Sequence, residues 1–96
     1  MKKNFKITYL KKSQKFLDKN KSSITENEVD ELIIKFVKKH FFNIDINIDY
    51  KQLQGNLQGF FRIRKGNIRI IIQVVDNEII IEVIIEDIGF RGDIYK

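Results

Sequence analysis

Between Phe60 and Glu86, apolar and polar side chains alternate with a period of two, and Gly66-Asn67 and Asp76-Asn77 interrupt the alternation. Such a segment has few options besides antiparallel strands joined by short turns. Successive side chains on a strand point to opposite faces, and two-residue hairpin turns favour Gly and Asn. Counting alternate positions puts Phe61, Ile63, Ile68, Ile70, Ile72, Val74, Ile79, Ile81, Val83 and Ile85 on one wholly apolar face. The other face carries Phe60, Arg62, Arg64, Arg69, Ile71, Gln73, Glu78, Ile80, Glu82, Ile84 and Glu86. The first face must be covered; the second is a mixed polar surface.

The cover is predicted upstream. Phe5, Ile7 and Tyr9 alternate with Lys6, Thr8 and Leu10 as a short first strand does. Leu10, Ser13, Phe16 and Leu17 then fall on one face of a short helix, and Asn20-Lys21-Ser22-Ser23 marks a turn. Thr25-Glu26-Asn27-Glu28 is a capping box ahead of Val29, Leu32, Ile33, Phe36, Val37 and His40 at helical spacing. His40, the single histidine, is expected at the core edge of that helix's last turn. Residues 43–50 alternate too, but their Asp and Asn content predicts an extended connector rather than a strand.

The expected architecture is α+β: an N-terminal strand, two helices, then a three-stranded antiparallel meander with both helices on one sheet face. Its 96 residues make one domain with a single modest core. No cysteine occurs, which excludes disulfides, a Cys-based metal site and a Cys nucleophile, and suits a reducing cytoplasm. One histidine and no Cys make a transition-metal site an unsuitable reading, and there is no phosphate loop or other cofactor signature. The basic start has no apolar run behind it, so it does not read as a signal peptide. No apolar run is long enough for a membrane span either. The net charge of +5 comes from lysines at the N-terminus, which suit a polyanionic partner or a solvated face.

Arginine is used sparingly, four times against fourteen lysines. Arg62, Arg64 and Arg69 lie in one stretch and Arg91 near the end. In a chain that uses lysine for general positive charge, arginine persists where a planar, five-donor fork is needed for phosphate or carboxylate. If Gly66-Asn67 is a two-residue turn, Arg64 lies directly across the hairpin from Arg69, with Arg62 one pleat away. Like charges so opposed are unfavourable unless an anion or a carboxylate sits among them. Glu82 and Glu86 on the same face are the candidate carboxylates.

Three segments together resemble the RelE/ParE superfamily of toxins from toxin–antitoxin pairs. They are Leu53-Gln54-Gly55, Gly59 to Ile71 through Phe60-Phe61-Arg62-Ile63-Arg64-Lys65-Gly66, and Phe90-Arg91-Gly92-Asp93-Ile94-Tyr95. The resemblance covers essentially the whole chain and implies a RelE-like fold. It further implies a ribosome-dependent mRNA endonuclease, or mRNA interferase, that inhibits translation. Cleavage would proceed without metal or cofactor, by 2′-OH attack on the adjacent phosphate. By position, Arg62 and Arg64 would hold the scissile phosphate and Arg69 would stabilise the transition state. Arg91 would assist the leaving group, and Tyr95 would orient a base. The implied partners are a small acidic antitoxin, the ribosome and mRNA.

The sequence departs from the family in one respect. Arginine is always protonated and cannot serve as a general base. Tyr95, Glu82 and Glu86 are the remaining candidates for that role. A ParE-like, gyrase-inhibiting toxin and a catalytically degenerate antitoxin-binding module stay open as alternatives.

Overall fold

The computed structural model describes residues 4–54, 59–77 and 80–91. In chain order they form β1 (Asn4–Tyr9), α1 (Lys11–Lys19), α2 (Glu26–Phe42), β2 (Asp49–Gln52), β3 (Phe60–Lys65), β4 (Ile68–Asp76) and β5 (Ile80–Phe90). The strands make one five-stranded sheet in the order β1-β5-β4-β3-β2. β1 lies parallel to β5, while the other neighbours are antiparallel. The α+β class, the first strand, both helices and the meander match the sequence-based expectation.

The inner face carries the predicted apolar set. Ile63, Ile70, Ile72, Val83 and Ile85 have no exposed surface, and Val29, Ile33 and Phe36 of α2 meet them with none either. Burial of each such side chain contributes about 1.5–3 kcal/mol, so this interface carries most of the folding drive. The capping box forms as the sequence requires: Thr25 accepts from the Glu28 N–H, and Glu28 accepts from the Thr25 N–H. At the other end Asn43 takes a left-handed φ of 54° and closes α2.

α1 has no side-chain N-cap and no acid in its first turn, so packing must hold it. The Ile85 carbonyl supplies an anchor where β1 ends, accepting from the Leu10 N–H at 3.2 Å and from the buried Ser13 hydroxyl at 2.9 Å. The helix then runs beside the last part of β5, with the Phe16 ring against Phe90. Tyr9 ties β1 to α2 by donating to the Asp30 carboxylate at 2.6 Å, and burial followed by that bond pushes its hydroxyl pKa up.

Three departures from the sequence reading matter. Residues 43–48 are the expected connector, but Asp49–Gln52 is a strand, paired with β3 along Asp49↔Arg64 to Gln52↔Phe61. The sheet thus gains an edge strand that the three-stranded meander lacked. The second reversal also falls later than Asp76-Asn77. β4 includes Asp76, and Asn77 still donates its N–H to the Ile80 carbonyl while its side chain accepts from the Ile80 N–H. Finally, Ile71 pairs with Asp87 and Ile72 with Ile85, leaving Glu86 as an extra residue in a β-bulge. The bulge shifts the alternation by one, which lets both Ile85 and Ile88 point inward. The expected positions Glu78 and Ile79 lie outside the described residues.

No helix among the described residues is long and apolar enough to cross a membrane.

Candidate anion-binding site

The β3–β4 hairpin turns on Gly66-Asn67. Gly66 has φ 59°, and Asn67 is not in the positive-φ region, the signature of a type II′ turn with glycine first. This fixes the register Arg64↔Arg69 and Arg62↔Ile71. The two arginines therefore stand opposed as the sequence predicts. β2 extends these rows outward, so that Asp49, Arg64, Arg69 and Gly89 lie side by side across four strands. Lys51, Arg62, Ile71 and Asp87 form the neighbouring row.

A carboxylate does lie among the guanidinium groups, that of Asp49, from the segment expected to be a connector. Arg64 donates from Nε to Asp49 Oδ2 at 2.8 Å, while Arg62 Nη2 lies 3.6 Å from Oδ1. The first is a charge-assisted hydrogen bond; the second is an ion-pair distance only. That bond from Arg64 is the main reason the Asp49 carboxyl stays below the usual carboxylate range. Partial desolvation opposes it, and the charges of Arg64, Arg62 and Arg69 add to it. A single point on the surface thus feels all three arginines.

Burial separates their roles. Arg69 is only 7% exposed, so packing fixes it in place. The Arg62 side chain is 15% exposed, and its buried Nε makes no hydrogen bond among the described residues. The Arg64 side chain is 39% exposed and the Asp49 side chain 48%, so this pair forms the open side of the site.

Arg91 joins the same end of the sheet. Its N–H donates to the Asn67 carbonyl at 2.7 Å, which docks the chain after β5 on the hairpin turn. From Gly89, Arg69's cross-strand partner, Arg91 is about 7 Å along the chain at ordinary strand rise. Tyr95 lies outside the described residues.

Of the two carboxylates expected from the sequence, Glu82 sits elsewhere. Glu82 accepts from the Thr8 hydroxyl at 2.6 Å and pairs with Val75. Val75 lies about 13 Å along β4 from Ile71, the partner of Arg62, too far for contact. Glu86 is the bulged residue, and its neighbour Asp87 is bridged to Lys12 at 3.1 Å. His40 lies in the last turn of α2, as expected. It stacks on Phe36 at a centroid distance of 5.3 Å and meets the Tyr50 hydroxyl at 3.3 Å through Nδ1.

Arg64 and Asp49 leave the arginine face open to solvent. A groove of about 630 Å³ lies between α1 and β5, beside Lys11, Lys12, Lys15 and Lys19. An open patch with several guanidinium forks suits a phosphate carried on a long polymer better than an enclosed small molecule.

No protein-family model matches the sequence, and neither does any curated protein. Solved structures do match its fold. A copper-bound mutant toxin from Helicobacter pylori has a TM-score of 0.68 at 22% identity, covering 93% of this chain and 97% of that one. A YoeB/ParE toxin from Agrobacterium tumefaciens has a TM-score of 0.61 at 12% identity, covering 90% and 98%. The RelBE toxin–antitoxin complex from Mycobacterium tuberculosis gives 0.54 at 16% identity, covering 92% and 99%. The chain has the fold of the RelE/ParE superfamily of toxins.

Proposed function

We propose that this chain is the toxin of a type II toxin–antitoxin pair and an endonuclease that cleaves mRNA on the ribosome, inhibiting translation in the cytoplasm. The observation that carries the reading is that Arg62 and Arg64 address one carboxylate, with Arg69 directly opposite Arg64 on the next strand. A fold shared with a toxin from Helicobacter pylori and with a RelBE toxin–antitoxin complex supports the class.

In this reaction the 2′-oxygen forms a bond to phosphorus and the bond to the 5′-oxygen breaks. The products are a 2′,3′-cyclic phosphate and a 5′-hydroxyl. Negative charge grows on the phosphoryl oxygens in the transition state, where fixed donors are most effective. Removing one such donor typically costs about a hundred- to a thousandfold in rate. Arg62 and Arg64 hold the phosphate, and Arg69, fixed by burial, meets the developing charge. Arg91 at the hairpin turn assists the departing oxygen, and Tyr95 orients a base. The 2′-OH proton must go to another group, because arginine does not accept it and the Asp49 carboxyl, held acidic, is a weak base at neutral pH. An acidic antitoxin that covers the arginine face would silence the site by occupying it.

The lack of a well-placed base among the described residues favours a second reading, a toxin that binds its target without cleaving RNA, as a gyrase-directed ParE-like protein would. Inducing the wild type and Arg69→Ala in cells and mapping mRNA ends separates the two. Codon-phased cleavage by the wild type and not by Arg69→Ala supports the nuclease. Growth arrest without cleavage, together with inhibited gyrase supercoiling by the purified protein, overturns it.

A further inference from the structure

The Asp49 carboxylate has the position and the partners of a bound anion. Its two oxygens address two guanidinium groups that project from the same strand face, Oδ2 toward Arg64 and Oδ1 toward Arg62. A phosphoryl group reaching these arginines would have to put its oxygens where those of Asp49 now lie. The carboxylate also serves the site incompletely, since the buried Nε of Arg62 has no hydrogen bond among the described residues. A tetrahedral anion brings more acceptor oxygens than a carboxylate and can satisfy that donor as well.

Asp49 is built to leave. It is the first residue of a four-residue edge strand, follows a connector without secondary structure, and its side chain is 48% exposed. Its neighbour Tyr50 points inward against Phe36, which secures the strand while the carboxylate stays at the rim. Turning Asp49 into solvent therefore costs its ion pairs with Arg64 and Arg62 and leaves the core undisturbed.

We infer that Asp49 is an internal competitor for the anion seat, so that a substrate phosphate must displace its carboxylate from Arg62 and Arg64 before it is held. This rests on the reading of the arginine face as a phosphate site, and it makes Asp49 a residue that sets affinity there. The free protein keeps its arginines compensated. Isolated anions are held a few-fold more weakly than by the bare arginines, while a phosphate delivered with further contacts along a polymer overcomes the carboxylate.

The test uses sulfate as the probe and the full chain, wild type and Asp49→Asn, followed by NMR. With four arginines in the chain, their Nε–H signals are readily resolved. Asp49→Asn should bind sulfate about fivefold more tightly, the scale of a surface pair removed. In the wild type, the Asp49 carboxyl carbon signal should move with the same midpoint as the Arg64 Nε–H. That second readout needs no variant and stands even if Asp49→Asn disturbs β2. Equal or weaker sulfate binding by Asp49→Asn overturns the inference while leaving the arginine site intact. So does a wild-type carboxyl signal that stays still while the arginines respond. If sulfate moves no arginine signal in either protein, the phosphate-site reading falls and the inference with it.

Discussion

Arg64 stands directly opposite Arg69 across the β3–β4 ladder, and the carboxylate of Asp49 is bonded to Arg64 from the next strand out. The opposed like charges are thus compensated laterally, by a strand whose pairing with β3 exists only in the folded sheet.

Removing that compensation should weaken the fold modestly. Asp49→Asn is expected to lose about 0.2–1 kcal/mol at low ionic strength, the ordinary range for an exposed ion pair, and less in high salt. Urea unfolding of wild type and variant at two salt concentrations measures it. Added sulfate should recover part of the loss, because a ligand that binds only the folded state stabilises it.

The same pair dictates a pH dependence. Asp49's folded-state pKa is depressed, chiefly by the Arg64 bond, so its contribution is fully present above the unfolded value of about 3.9. It disappears as pH falls through the lower, folded value. The stability gap between wild type and Asp49→Asn should therefore be flat from about pH 5 to 7 and close in the acid range. A gap that widened on acidification would contradict the pairing.

Among the described residues Phe36 is the largest side chain with no exposed surface, and its ring meets Phe61, Tyr50, His40 and Phe41. Phe36→Ala should cost about 3–5 kcal/mol, a large part of the stability of a domain this size. Thermal unfolding followed by circular dichroism would show a steep drop in midpoint or no cooperative transition.

Ser13 tests a finer point. Its hydroxyl is buried and donates to the Ile85 carbonyl, but that carbonyl also accepts from the Leu10 N–H. Ser13→Ala leaves no orphaned acceptor, so the expected cost is only about 0.5–1.5 kcal/mol. Ser13→Leu, which must fit extra volume against β5, should cost more. Comparing their urea midpoints checks both.

Much of this molecule was legible in the chain because local chemistry and tertiary need agreed. Thr25 and Glu28 cap α2 by contacts within one turn, and Gly66-Asn67 fixes the hairpin register that opposes Arg64 to Arg69. What was missed depends on partners distant in sequence. The alternation of residues 43–50 runs into Asp49–Gln52, but its Asp and Asn content speaks against a strand; β3 imposes the pairing. The carboxylate of the arginine cluster was missed for that reason. The bulge at Glu86 did leave a trace, since Ile85 and Ile88 are both apolar and three apart, a spacing that strict alternation forbids. At the second turn, the Asn77 side chain bonds to the Ile80 N–H, which moves the reversal later than its sequence suggests.

The parallel pairing of β1 with β5 has a kinetic consequence. β5 is the last strand in sequence, yet it lies between β1 and β4, and no other strand joins the first segment to the sheet. α1 depends on it equally, through Phe90 and the Ile85 carbonyl. Contacts between positions so far apart close slowly, because the chain between them must be ordered first. During synthesis, the first strand has no strand to pair with until residues 80–90 have emerged, and only its Tyr9 contact with α2 can form earlier. The arginine hairpin can assemble earlier from neighbouring residues, but the complete sheet that holds it rigid is the last thing the chain acquires.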